Sequence, residues 1–79
     1  MAGRYLALSR AAVVKALGAG RVPPDELDAF LDRLAEKAGV QHRLARLVPE
    51  TAAVKTRADL TRLAQNLYQW RVEMTGERR

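Results

Sequence analysis

Residues 24–38 read PDELDAFLDRLAEKA, and this stretch restricts the chain to helical folds more than any other. Leu27, Phe30, Leu31, Leu34, Ala35 and Ala38 fall at offsets 0, 3, 4, 7, 8 and 11. That spacing lines one face of an α-helix and no face of a strand. Pro24 suits the first turn, where its missing amide hydrogen costs nothing. Asp25, Glu26 and Asp28 complement the positive end of the helix dipole. Gly39 follows as the C-terminal stop. A helix apolar on one side must bury that side against other elements.

The remainder of the chain supplies those elements as further helices. The first is expected over about 9–17, or from as early as residue 4, with Ser9 as its N-cap and Gly18 and Gly20 as its stop. Val13, Ala16 and Leu17 would share its inner face, joined by Leu6 if the helix starts early. A short helix follows over about 41–47, limited by Pro49. Val40, Leu44, Leu47 and Val48 would face inward from it. The last runs from about 57 to 74, opened by Thr56 and Asp59 at capping-box spacing. Sustained period-two alternation is missing, so no strand is expected. The expected fold is all-α: one domain over 1–79, four helices in an orthogonal or bundle-like array, and a frayed tail at 76–79.

Composition closes off other classes. Apolar residues make up 48% of the 79, so collapse is expected and wholesale disorder is not. There is no cysteine, hence no disulfide and no thiolate metal site, which fits a reducing cytoplasm. The longest aliphatic run is AAVV, far too short for a membrane span, and Arg10 and Lys15 break the N-terminal apolar stretch. Catalysis is not expected. His42 is the single histidine, and Ser9, Thr51, Thr56, Thr61 and Thr75 have no base at a meaningful spacing. Asp28, Asp32 and Glu36 stand one turn apart, but solubility and dipole matching account for them without a metal. No cofactor or small-molecule substrate is expected.

Charge is distributed unevenly. The net charge of +5 divides into +4 over residues 1–21, −3 over 22–40 and +4 over 41–79. One acidic helix is therefore bracketed by basic segments. Such a stripe attracts nucleic acid or an acidic protein surface, or merely keeps the chain soluble.

The stretch LAEKAGVQHRLARL lies where the acidic helix stops and the basic segment begins. Leu34 and Ala35 precede Gly39 at a turn, Val40 follows it, and Ala45 and Val48 come after. With ADLTRLAQNL downstream, residues 31–67 resemble a helix-turn-helix of the phage-repressor type, with the unit itself at 31–48. The resemblance implies that Ala45 and Val48 pack back on the first helix. It also implies that Gln41, His42, Arg43 and Arg46 meet the major groove. Arg43 and Arg46 would contact base edges or phosphates, with Lys55, Arg57 and Arg62 adding backbone attraction. Two features depart from the pattern: Leu44 and Leu47 occupy the short recognition segment, and the loop PETAAVK is long and apolar.

Leu60, Leu63, Leu67, Trp70 and Met74 form a heptad seam. The seam is either the core facing the second helix or a partner interface with Trp70 as its anchor. The sequence therefore supports two functions. DNA binding through the helix-turn-helix comes first. The alternative is a protein–protein module, an adapter, inhibitor or nucleoprotein subunit, that meets an acidic surface through the seam. A homodimer fits either one. Tyr5, Phe30, Tyr68 and Trp70 are too few and scattered for an RNA-stacking platform.

Overall fold

The computed structural model describes residues 2–76. They form four helices and no strand: α1 (Ala2–Leu17), α2 (Pro24–Ala38), α3 (Leu44–Ala52) and α4 (Arg57–Thr75). The all-α expectation holds, and α2 has the expected bounds.

The glycine stops act through backbone geometry. Gly39 has φ 74° and ψ 23° and closes α2, while the Val40 amide donates to the Ala35 carbonyl at 2.9 Å. Gly18 closes α1 in the same way at φ 67°, with the Ala19 amide on the Val14 carbonyl at 2.9 Å. No atom crowds a Cβ built on Gly39, so substitution there meets backbone strain alone. Gly39→Ala is expected to cost about 1 kcal/mol. In a domain of this size that lowers the thermal midpoint by roughly 4–8 °C. Thermal denaturation checks it.

Two helices begin elsewhere than expected. α1 starts at Ala2, so Ser9 lies inside the helix and caps nothing. The run of Ala, Leu and Arg around it favours helix strongly enough to carry one serine through. Leu6 and Val13, two turns apart, are the buried residues of α1, while Ala16 and Leu17 are exposed. α3 begins at Leu44, not 41, and Pro49 lies within it rather than at its end. Asp32 of α2 sets this start. Its carboxylate accepts from the Leu44 amide at 2.7 Å and the Ala45 amide at 3.0 Å. Both are first-turn amides that a helix leaves without internal partners. Pro49 forgoes one amide bond, and α3 continues beyond it to the Thr51 hydroxyl bonded to the Leu47 carbonyl at 2.8 Å.

α4 opens with the expected capping box. The Asp59 amide donates to Thr56 Oγ1 at 3.1 Å, and the Asp59 carboxylate accepts from the Thr56 and Lys55 amides at 3.3 and 3.2 Å. The Lys55 amide, the largest influence, joined by the Thr56 amide and hydroxyl, holds the Asp59 carboxyl below its ordinary value of 3.8, with desolvation, second in size, opposing it. A lowered folded value means that the cap's contribution is complete above 3.8 and fades as pH falls through that lower value. The stability difference between the wild type and Asp59→Asn is therefore expected to shrink under acid titration below that point. Urea denaturation at stepped pH measures it. Gly76, at φ 70°, closes α4; the expected fraying of 77–79 lies outside the described residues.

α1 packs chiefly on α4, and the short α3 touches all three other helices. Leu31, Ala35, Leu44, Leu47, Leu63 and Trp70 meet in one core with Leu6 and Val13. α1 and α2 are joined at the rim by Arg10, whose Nη2 donates to Asp28 at 3.1 Å while its Nε lies 3.0 Å from the other oxygen.

Candidate interaction surface

The corner between α2 and α3 is tied to α4 and α2 by hydrogen bonds and one ion pair, with Gln41 exposed and His42 and Arg43 half-buried. Gln41, His42 and Arg43 lie in the connector, not on a helix. The Gln41 amide donates to Glu73 of α4 at 3.3 Å. His42 Nε2 lies 3.4 Å from Gln69 Oε1, and Gln69 Nε2 donates back to Glu73 at 3.1 Å. An amide oxygen only accepts, so His42 donates through Nε2–H in this arrangement. Arg43 is half-buried at the N-terminus of α3, 3.9 Å from Glu36. Of the four expected contact residues on this corner, Arg46 alone projects freely exposed from a helix.

The outward face of α3 consists of Ala45, Arg46, Val48, Pro49 and Ala52. Val40, Leu44 and Leu47 are buried as expected, whereas Ala45 and Val48, expected to pack inward, are exposed, Val48 at 39%. On a helix whose inner line runs through Leu44 and Leu47, Ala45 and Val48 lie about 100° to one side. Apart from Arg46, the side chains of the outward face offer no hydrogen-bond donor or acceptor to a base edge.

Lys55, Arg57 and Arg62 are exposed around the start of α4. Arg62 stands 4.0 Å from Asp59. Five carboxylates, by contrast, are tied into the fold, while Asp25, Glu26 and Glu36 stand exposed on α2. Asp28 holds Arg10, Asp32 the start of α3, Glu50 the Asn66 amide at 3.0 Å, Asp59 the start of α4, and Glu73 both Gln41 and Gln69. Asp28, Asp32 and Glu36 thus face three different partners. Among the described residues no group of three histidines or acids is placed to hold a metal ion. No helix is long and apolar enough to cross a membrane.

The heptad seam lies mostly inside. Leu63, Leu67, Trp70 and Met74 belong to the core, so they are not a surface for a partner; only Leu60 stays partly exposed. These four supply what α1, α2 and α3 pack against, and Trp70 is 0% exposed.

A second ridge on α4 reaches the surface in part: Tyr68 is exposed, Leu60 and Ala64 are half-buried and Val72 is buried. Leu60, Ala64, Tyr68 and Val72 recur every four residues, so each step turns about 40° away from the core seam. With Tyr5 of α1 they line an open groove of about 750 Å³, completed by Thr61, Gln65, Gln69 and Glu73. Tyr5 is 48% exposed and Tyr68 62%. The Arg71 guanidinium sits 5.3 Å from the Tyr68 ring centre, a cation–π distance that steadies the ring in solvent. Tyr5, Tyr68 and Val72 were not singled out from the sequence. The four-residue ladder beside the heptad was the available signal for two of them. Tyr5 lacked one because nothing within α1 itself pairs it with α4.

Compared with protein-family models, curated proteins and solved structures, the chain matches none.

Proposed function

We propose that this chain is a non-enzymatic docking module that engages another protein through the groove between α1 and α4. One observation carries the reading: two exposed tyrosines, Tyr5 and Tyr68, stand over a trough whose apolar floor is Leu60, Ala64 and Val72. Exposed apolar clusters rimmed by polar residues mark interaction sites, and tyrosine is enriched in them. The same reading places the protein in the cytoplasm, where a cysteine-free domain gives up nothing. The test is a neutral amphipathic helical peptide with leucines at helical spacing and glutamines elsewhere. It should bind the wild type and lose about tenfold in affinity against Ala64→Phe, which fills the middle of the trough. Equal binding to both proteins, or to neither, removes the reading.

A second reading, DNA docking, is favoured by the charge pattern: Arg46, Lys55, Arg57 and Arg62 stand exposed around α3 and the start of α4, where the carboxylates Glu50 and Asp59 are engaged in the fold. With the outer face of α3 lacking base-reading groups, such docking would address phosphates. In a salt-dependent mobility shift, Arg46→Ala and Lys55→Ala should each reduce the salt slope by about 1. An unchanged slope removes it. Binding at physiological salt that Arg43→Ala with Arg46→Ala leaves untouched removes the recognition-helix form.

A further inference from the structure

We infer that the occupant of the α1/α4 groove is an amphipathic helix with acidic flanks, carried by a different protein. This rests on the docking-module reading and names the chemistry of the partner. Shape argues for a helix. The lining residues on α4 run from Leu60 to Glu73, a span of about 20 Å or nearly four helical turns. Leu60, Ala64, Tyr68 and Val72 repeat once per turn, as do the side chains a helix would lay against them. Ala64, the small member, leaves a notch between Leu60 and Tyr68 for one large partner side chain.

Charge argues for acids on that helix. Arg57 stands one turn before Leu60 and Thr61 on the same face of α4, and Arg4 adjoins Tyr5 on α1; both are exposed. Arg71 lies over Tyr68 at the other end. Glu73 is the one carboxylate in the lining, and it already accepts from Gln41 and Gln69. A partner helix with glutamates beside its apolar stripe meets exposed arginines, Arg4 and Arg57, where the trough begins at Leu60 and Tyr5.

A second copy fits poorly. Two copies joined through this groove across a two-fold axis would each leave Arg4 and Arg57 at an outer end of the contact, with Glu73 of the other copy, already bonded to Gln41 and Gln69, as the one lining carboxylate to meet them. The chain's own acidic amphipathic helix, α2, is unavailable, because Leu31 and Ala35 on its apolar face are 0% exposed in the core. Single-stranded nucleic acid would stack on tyrosines, but the Glu73 carboxylate and the aliphatic floor oppose a phosphate chain.

Two further synthetic helical peptides provide the test. They share the leucine spacing of the neutral one and carry glutamates or lysines on the flanks. Fluorescence anisotropy should give the glutamate peptide an affinity at least about tenfold above the lysine peptide at ~0.15 M salt, with the gap closing as salt rises. Arg4→Glu with Arg57→Glu should reverse the preference, which no merely structural role of these arginines would do. Tyr68→Glu should weaken both peptides, whereas Arg33→Glu on α2 should leave them unchanged. Circular dichroism checks the fold of each variant; if Tyr68→Glu does not fold, Ala64→Phe serves in its place. Equal binding of both charged peptides overturns the acidic partner while leaving the groove standing. Failure of all three peptides overturns the docking module itself. A wild-type dimer by sedimentation that Tyr68→Glu dissolves makes a second copy the occupant. An oligothymidine bound in a Tyr68-dependent manner makes it a nucleic acid.

Discussion

Replacing Trp70 by alanine is expected to remove most of the stability of the domain. Trp70 is fully buried and sits in one cluster with Leu31, Leu44, Leu63 and Leu67. Truncating a core tryptophan costs about 3–5 kcal/mol, through lost burial and through the cavity left behind. A domain of 79 residues has roughly 4–12 kcal/mol in total. Trp70→Ala should therefore unfold at much lower urea, with a thermal midpoint down by roughly 20 °C. Trp70→Phe should behave very differently. Among the described residues the indole N–H has no hydrogen-bond partner, and a buried donor without one costs about 1–3 kcal/mol. Phenylalanine removes that donor while keeping most of the apolar volume, so the net loss should stay near 1 kcal/mol. Urea denaturation of both variants decides it. A mild Trp70→Ala would mean that Trp70 is not the centre of this core, and the seam would again be free for a partner.

Asp32→Ala is expected to have the second largest effect, and its origin is local. The carboxylate receives the first two amides of α3, at 2.7 and 3.0 Å, from a different helix. Its negative charge also lies at the positive end of the α3 dipole. Hydrogen bonds to a charged acceptor are worth about 1.5–3 kcal/mol, and the outer bond is open to water. A total of about 2 kcal/mol follows for alanine, and roughly half of that for asparagine, which keeps one acceptor oxygen. Hydrogen exchange should show the Leu44 and Ala45 amides losing protection in Asp32→Ala before the rest of α3. Unchanged exchange at these two amides would contradict the assignment of Asp32 as the cap.

Asp32 also marks the boundary of what was legible from residues alone. Signals contained within one helix read correctly: the apolar face of α2 up to Ala35, with Ala38 exposed at its end, the Gly18 and Gly39 stops, and the Thr56–Asp59 box. Each depends on neighbours a few positions away. The start of α3 depends on a side chain twelve residues earlier on another helix, and no local pattern announces it. That displacement gave Gln41, His42 and Arg43 a helix they do not occupy, and the repressor-type pattern laid over the same stretch put Ala45 and Val48 on the wrong face. Ser9 misled for the opposite reason, since a serine that often caps was overruled by the helix formers on both sides. The seam from Leu60 to Met74 was correctly seen as apolar. Which of its two roles held depended on whether α1 to α3 covered it, a tertiary fact. The groove was missed because its walls come from α1 and α4 together.

The central claim is that the α1/α4 groove, and not the corner after α2, is the binding face. Amide chemical-shift mapping during titration with the glutamate-flanked peptide tests it most directly. Shifts concentrated at Tyr5, Leu60, Ala64, Tyr68 and Val72 are the predicted result. Shifts concentrated at Arg43, Arg46 and Lys55 with the groove silent would contradict it.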